Sequence, residues 1–254
     1  SEPMQIQGLP DGFKEGPYAF KHNNKYYLTF PWVQDKTETL AYAMADSPMG
    51  PFTFTGIIMD ESPSGCWTNH HSITEYNGQW YLFYHHNDYS PNFDKNRSAR
   101  IDSLFFNTDG TIKKVKPTLR GVGITDARSK IQIDRYSTIS PYGVTIDYLE
   151  PSNTFEGWQT LFNRAGTWVT YNKVDFGTTP VKRLKARVRS EKGGAITLRT
   201  PGEKGMTIAE LPIKPTGKWT EISTNVSNAP TSMQDLIITQ TGENPVAVDW
   251  ISFE

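Results

Sequence analysis

A hairpin motif that recurs 54 residues further along the chain is the strongest constraint on how this sequence folds. NNKYYLTF (23–30) and NGQWYLFY (77–84) each place a polar two-residue turn before a strand rich in aromatic side chains. Each turn follows another strand-like segment, PYAFKH or SITEY, so each copy predicts a β-hairpin. Between the copies, TLAYAMADSPMGPFTF (39–54) predicts two more strands and completes a four-stranded unit.

The period of this unit indicates a β-propeller, since blades are small antiparallel sheets that repeat every 40–50 residues or so. A further hairpin is predicted in RIDSLFFNTDGTIKKV (100–115), with its turn at Asp109-Gly110. Residues 1–120 therefore supply roughly two blades and a fraction, whereas closed propellers need about four to eight. We expect a partial propeller in this part of the chain.

The second half of the chain shows a different pattern. The aromatic repeat stops near PTLRGVGIT (117–125), and we place a domain boundary around residue 121. Short alternating strands then follow at intervals typical of a β-sandwich: IQIDRYS, WVTYNKVDF, RLKARVRS, AITLRT, WTEIST, DLIITQT and AVDWISFE. The expected fold class is therefore all-β, with a partial propeller over 1–120 and a jelly-roll sandwich over 121–254.

Composition agrees with this fold class and argues against several functions. Aromatic residues make up 13% of the chain, and 20 Gly and 17 Pro fit short strands joined by turns. A net charge of −1 gives no footprint for nucleic acid or an anionic membrane. No apolar run approaches the roughly 20 residues of a membrane-spanning helix. Cys66 is the only cysteine, so the sequence offers neither an internal disulfide nor a CxxC zinc pair.

Glu15 opens the first aromatic hairpin, in the segment KEGPY (14–18). From the residues alone, a loop glutamate is more simply a surface group than a catalytic one. The alternative is sugar hydrolysis, in which one carboxylic acid protonates the leaving oxygen. In an inverting enzyme a second carboxylate, about 6.5–9.5 Å away, activates water. A propeller suits this chemistry because its inner strands deliver side chains from several blades to one axial pocket.

Three segments, in order, resemble consecutive blades of family 43 glycoside hydrolases: KEGPYAFKHNNKYYLTF, YAMADSPMGPF and TNHHSITEYNGQWYLFYHH. The resemblance covers about half of the chain and is closest to arabinofuranosidases and β-xylosidases. It implies a propeller of the five-bladed type. It also implies an inverting hydrolase, secreted or periplasmic, that acts on arabinose- or xylose-containing plant polysaccharide or oligosaccharide.

The resemblance implies roles for particular residues. Glu15 matches the general acid, which the Gly-Pro turn would hold at the inner mouth of a blade, buried against the aromatic strand behind it. His70, with His71 adjacent, matches an axial histidine that contacts a bound metal, usually calcium, or its waters and the substrate. Arg97 is the better match for a substrate-contacting arginine, and Arg100 is the second. Without the resemblance, both histidines would be interpreted as ordinary polar residues of a blade.

The sequence departs from the family at the catalytic base. The resemblance places the base and an acid-tuning aspartate on earlier blades, far upstream of the E-G-P segment. Only Glu2 and Asp11 precede Glu15, and neither lies in a strand-like context. The expectation is that this chain is the C-terminal part of such an enzyme, that N-terminal blades are missing, and that this chain alone lacks the base.

The second domain resembles a family 6 carbohydrate-binding module, through IQIDRY, TWVTYNKVDFG, TGKWTEI and VDWISFE. Such modules often hold a structural calcium on carboxylate and amide oxygens, the ligands that a hard cation prefers. The matching residues are Gln132, Asp134 and Asp249. Gln132 stands where the family commonly has Glu, so one ligand charge is missing and the site should be weaker.

Sugar binding by the module is expected at two loop aromatics and one amide. The resemblance assigns stacking on a pyranose ring to Trp158 and Trp219, and hydrogen bonding of its hydroxyls to Asn244; a structural role for either tryptophan is about equally compatible with the sequence. Two other functions remain open. One is a non-catalytic carbohydrate-binding protein that uses the C-terminal sandwich. The other is a structural all-β protein with neither activity.

Overall fold

The computed structural model describes residues 6, 8–13, 15–89, 93–203 and 205–254. Its regular elements are nineteen β-strands and one short 3₁₀ turn, Thr154–Glu156, so the predicted all-β class is confirmed for the described residues. The chain divides into two compact units, Ser1–Val122 and Gly123–Glu254, called here the N-terminal and C-terminal units. No helix among the described residues has the length and apolar character needed to cross a membrane.

The N-terminal unit contains two antiparallel sheets in which neighbours along the chain are neighbours in the sheet. The first sheet has four strands: β1 (Tyr18–His22), β2 (Lys25–Val33), β3 (Glu38–Ala45) and β4 (Thr53–Met59). The second has three strands: β5 (His71–Tyr76), β6 (Gln79–His86) and β7 (Ser98–Leu104). The predicted four-stranded unit is thus present, and no closed propeller is seen among the described residues.

The repeated motif forms the same hairpin twice. Asn23 and Asn24 have φ angles of 45° and 60°, and Asn77 and Gly78 have φ angles of 50° and 76°. Positive φ at both central residues defines a type I′ turn, which short polar Asn and Cβ-free Gly adopt at least cost. The β1–β2 and β5–β6 pairings confirm both predicted hairpins.

Aromatic residues of the two motif copies pack the two sheets together. Phe20 and Tyr27 are opposite one another across β1 and β2, with ring centroids 4.7 Å apart. Trp80, from the second copy, lies 5.2 Å from Phe20. Full burial of one such side chain stabilises a fold by roughly 1.5–3 kcal/mol. The sequence repeat therefore makes the core of the unit as well as its turns.

The third predicted hairpin is only partly present. Beyond β7, a single bridge joins Phe106 to Ile112 across the turn. The Tyr27 hydroxyl donates to the Gly110 carbonyl at 2.6 Å, and the Ile112 N–H donates to the Tyr42 hydroxyl at 3.0 Å. Because tyrosine side chains of the first sheet satisfy these backbone groups, the segment lies against that sheet and does not extend the ladder as a regular strand.

The C-terminal unit contains two six-stranded sheets. One consists of β8 (Thr125–Asp126), β10 (Thr138–Ile139), β13 (Trp168–Asp175), β15 (Gly194–Arg199), β16 (Thr207–Ile213) and β18 (Met233–Gln240). The other consists of β9 (Ile131–Gln132), β11 (Val144–Tyr148), β12 (Trp158–Phe162), β14 (Arg183–Arg189), β17 (Thr220–Asn225) and β19 (Val246–Phe253). Buried apolar side chains from both sheets form one core cluster.

In strand β14, RLKARVR, the side chains buried in the core determine which side chains face outward. Leu184, Ala186 and Val188 are fully buried in the core cluster. Successive side chains of a strand point to opposite faces of its sheet. Arg187 and Arg189 are therefore directed to the outer face, where they meet residues that the sequence assigned to calcium and sugar.

Candidate active site

Glu15 lies in a bend just before β1, and its Oε1 is 3.4 Å from Nε2 of His70. Gly16 adopts a φ of 63°, and a Cβ there would lie only 3.1 Å from Pro31 Cγ and 3.3 Å from His70 Nε2. Only glycine combines that conformation with so little space. The structure therefore brings Glu15 to His70, but the expected burial against aromatics is wrong, since the Glu15 side chain is 62% exposed.

Glu38, the first residue of β3, is a member of this site that sequence reasoning missed. It is 7% exposed, and its Oε2 accepts a hydrogen bond from the backbone N–H of Asn69 at 2.7 Å. Ligand atoms of Glu15, Glu38 and His70 lie within 4.8 Å of one another. A glutamate beginning an otherwise apolar strand, ETLAYAMA, was the available signal that this side chain has a buried partner.

Two other histidines hold the segment that carries His70. The backbone N–H of His70 donates to Nε2 of His85 at 3.1 Å, and Nε2 of His71 lies 2.6 Å from the Thr29 hydroxyl. Burial, and then the charge of His70, lowers the pKa of His71 to about 4. Burial, and then the charges of Arg97 and His70, lowers the pKa of His85 to about 4. Both rings are therefore neutral near pH 7, and His70 is the histidine that faces Glu15.

The two candidate arginines have different environments. Arg100 is buried, forms an ion pair with Asp88, and donates to the Thr118 carbonyl at 3.0 Å. Through these two contacts, the charge of Arg100 stabilises the N-terminal unit. Arg97 is exposed, and it is close enough to His85 for its charge to lower the pKa of that ring. A substrate contact by Arg97 stays a prediction that this position allows.

The Glu15–Glu38–His70 cluster fits a divalent cation. His70 Nε2 is buried and has no hydrogen-bond partner among the described residues. Two carboxylates beside it offer the oxygen atoms that calcium prefers, and an imidazole nitrogen is a common ligand for divalent metals. The axial metal that the resemblance implies for His70 stays a prediction, with Glu38 as an added ligand candidate.

The three residues expected to hold calcium in the C-terminal unit line one cleft of about 410 Å³. Asp249 is 5% exposed, and its Oδ2 accepts a hydrogen bond from Nη1 of Arg187 at 2.6 Å. Asp134 is buried, with Nε of Arg135 3.4 Å from its Oδ2, and Gln132 is exposed. Burial raises the pKa of Asp249, and Arg187 opposes that rise. Because these arginines lie against the carboxylates, a calcium ion would have to compete with them, and the calcium site stays a prediction.

Two of the three residues expected to bind sugar, Trp158 and Asn244, line different clefts. Trp158 lines the Asp249 cleft, and its ring stacks on Tyr148 with centroids 4.3 Å apart. Asn244 lines a separate cleft of about 380 Å³ together with Arg189. The Arg189 guanidinium lies 5.1 Å from the ring centroid of Trp219. Arg187, which lines the Asp249 cleft, lies 5.4 Å from the same centroid, so Trp219 lies beside arginines of both clefts.

Comparison with known proteins confirms both resemblances. Residues 6–112 match the family model of Glycosyl hydrolases family 43, and residues 140–254 match that of Carbohydrate binding module (family 6). Residues 6–112 are therefore similar to family 43 glycoside hydrolases, and residues 140–254 are similar to family 6 carbohydrate-binding modules.

Two curated proteins are similar to this chain in sequence. The chain is 28% identical to an arabinoxylan arabinofuranohydrolase of Paenibacillus polymyxa, over 90% of this chain and 40% of that protein. It is 43% identical to a β-xylosidase of Xylanibacter ruminicola, over 42% of this chain and 32% of that protein. The chain thus spans about two fifths or less of the length of these curated relatives.

A solved structure also aligns with this chain. A family 43 arabinoxylan arabinofuranohydrolase from Bacillus subtilis, crystallised in complex with cellotetraose, aligns with a TM-score of 0.57. The alignment covers 95% of this chain and 54% of that one, at 24% sequence identity. At 24% sequence identity, this similarity is evidence for the fold alone.

Proposed function

We propose that this chain is part of an inverting glycoside hydrolase that acts on arabinose- or xylose-containing polysaccharide, with Glu15 as the general acid. One observation carries the proposal: the Gly16 turn holds the Glu15 carboxylate 3.4 Å from His70 and within 4.8 Å of Glu38. The family 43 match over residues 6–112 and the names of the relatives support the reaction class. A substrate outside the cell would require a secreted or periplasmic enzyme.

Each group in the cluster has a distinct task in this proposal. Protonated Glu15 donates its proton to the leaving glycosidic oxygen, for which its exposure gives direct access. His70 orients the Glu15 carboxyl, and Arg97 hydrogen-bonds substrate hydroxyls. A bound divalent cation on His70 and Glu38 would supply positive charge beside the acid.

The catalytic base comes from elsewhere in this proposal. Glu38 lies within 4.8 Å of Glu15 and is bound to the Asn69 N–H, whereas inversion needs carboxyls about 6.5–9.5 Å apart with water between them. Asp11 is exposed, and Glu2 lies outside the described residues. We take the base from propeller blades N-terminal to this chain, as the resemblance implies.

The C-terminal unit would act as a β-sandwich module that holds the enzyme on its polymer. Its two six-stranded sheets with one shared core, and its match to family 6 modules, support this role. Asn244 would bind sugar at the 380 Å³ cleft and Trp158 at the other cleft, with Trp219 beside arginines that line both. The same match favours the alternative, a carbohydrate-binding protein without turnover.

Replacement of Glu15 by Gln in the complete enzyme tests the proposal. Glu15→Gln keeps shape and removes the acid, so hydrolysis of natural oligosaccharides should fall by roughly 10²–10⁴-fold. Aryl glycosides with acidic phenols need little protonation and should lose far less. Glu75→Gln, at an exposed glutamate of β5, is the matched control and should be silent.

Two outcomes would contradict general-acid catalysis by Glu15. A uniform loss on both substrate types would show that the side chain only shapes the pocket. Full activity of Glu15→Gln on both substrate types would show that KEGPY is only a turn, and it would favour the alternative of a carbohydrate-binding protein.

A further inference from the structure

Trp67 is an exposed tryptophan in the loop that carries His70. The loop, residues 60–70, connects β4 to β5. Trp67 is 37% exposed, although tryptophan is highly buried in most folds. Its neighbour Cys66 is fully buried, with its Sγ 3.1 Å from the Thr68 carbonyl, and Thr68 is half-buried, so Trp67 is more exposed than the residues on either side of it.

The backbone of Trp67 is held on both sides. Its carbonyl accepts a hydrogen bond from the N–H of Glu38 at 3.2 Å, and its N–H donates to the Asp94 carbonyl at 2.8 Å. Two residues further on, the Asn69 N–H donates to the Glu38 carboxylate at 2.7 Å. An indole on a fixed backbone loses little conformational entropy when a ligand stacks on it.

The same contacts link the backbone of Trp67, through Glu38, to the proposed acid. Glu38, whose N–H binds the Trp67 carbonyl, has its carboxylate within 4.8 Å of ligand atoms of Glu15 and His70. Trp67 is three residues from His70, a stretch of chain that spans at most about 11 Å. An oligosaccharide with its scissile bond at Glu15 would extend over this distance.

We propose that Trp67 binds a pentose ring of the substrate that lies beyond the two units flanking the bond cleaved at Glu15, by stacking the indole on the apolar face of that ring. A sugar ring presents C–H groups on its face and hydroxyls at its edge. A large aromatic surface suits that chemistry. The inference rests on the proposed function and names a binding residue for it.

A binding experiment tests Trp67 without requiring turnover. The full chain is labelled with 5-fluorotryptophan, and the ¹⁹F resonance of Trp67 is assigned as the one lost in Trp67→Phe. Titration with xylotriose or an arabinose-substituted xylo-oligosaccharide should shift this resonance saturably. Trp80, packed against Phe20 in the core of the same unit, should not move. A Trp67 resonance that stays fixed while resonances of the C-terminal unit shift would overturn the proposal.

Kinetics of the complete enzyme supply the second readout. Trp67→Ala should raise KM for oligosaccharides about 10-fold and leave kcat and an aryl monoglycoside unchanged, whereas Trp67→Phe should retain most of the affinity. Tyr76→Ala, at a 68% exposed aromatic beside the β5–β6 turn, is the matched control and should have no effect. An equal loss on both substrates, or none on either, would contradict the stacking role.

The Glu15→Gln result separates failure of this inference from failure of the proposed function. If Glu15→Gln loses activity only on substrates with poor leaving groups, and Trp67 shows neither a resonance shift nor a change in KM, the proposed hydrolase function would be supported and the stacking role of Trp67 would be refuted. A saturable Trp67 shift, with Glu15→Gln fully active, would keep the sugar contact and remove the general acid.

Discussion

The Arg187–Asp249 pair offers the sharpest test of how the C-terminal unit is stabilised. The Asp249 side chain is 8% exposed, that of Arg187 is 31% exposed, and Nη1 lies 2.6 Å from Oδ2. Arg187→Met leaves a buried carboxylate without its cation, which costs about 3–5 kcal/mol when both partners are buried. Because water reaches part of Arg187, we expect about 2–3 kcal/mol. For a unit of this size, that lowers the melting temperature by roughly 6–15 °C.

Calorimetry of the full chain at pH 7 measures this loss, with a double variant as the control. Arg187→Met with Asp249→Asn replaces the buried charge by an amide and should recover at least half of the lost stability. A double variant that is no more stable than Arg187→Met would show that the loss comes from packing of the arginine stem.

The effect of calcium on the melting temperature is a second test of the role of Arg187. In the parent chain Arg187 already neutralises Asp249, so calcium should leave the melting temperature of the C-terminal unit nearly unchanged. In Arg187→Met, calcium at about 100 times its Kd should restore about 2.7 kcal/mol. A large stabilisation of the parent chain by calcium, with no further gain in Arg187→Met, would refute the idea that arginine stands in the cation's place.

Three further outcomes follow from the N-terminal unit. This chain alone should not hydrolyse aryl arabinofuranosides or xylosides, and turnover at about 1 s⁻¹ or faster would contradict a base supplied from outside. Burial, and then the charge of Arg100, lowers the pKa of His86 to about 3. The stability it contributes is therefore present above pH 6.5 and lost as pH falls toward 3, by up to about 1.4 kcal/mol per pH unit, and His86→Asn should flatten that dependence in urea titrations. Asn24 has a φ of 60°, so Asn24→Ala should cost about 1 kcal/mol in urea unfolding and Asn24→Gly much less; equal losses would contradict the turn assignment.

The elements that the sequence predicted well are those that local chemistry determines. Asn23-Asn24 and Asn77-Gly78 specify type I′ turns by themselves, and alternating apolar residues in β14 specify which face is buried. Strands β8, β10, β11, β12 and β16 were missed. The segment TIAELPI of β16 contains Pro212, which is unfavourable within a sheet, and only its place at the end of the sheet order accommodates it.

The candidate sites were less predictable because they depend on pairing between distant segments. Glu15 and His70 could be named from the resemblance, but Glu38 joins them only through hydrogen bonds to the backbone of Trp67 and Asn69. Similarly, the outward direction of Arg187 follows from strand alternation, whereas its contact with Asp249 depends on the register of β14 against β19 and on the irregularity after Arg187.

Glu38 binds the 67–69 segment through both its backbone N–H and its carboxylate. These two hydrogen bonds fix the position of the His70 loop relative to β3. Neither bond uses the side chain of residue 67. That side chain is consequently free to vary during evolution or in a designed library while His70 keeps its position against Glu15. Variants at this one position should share the same bond-breaking chemistry and differ in the length or branching of the chains they prefer.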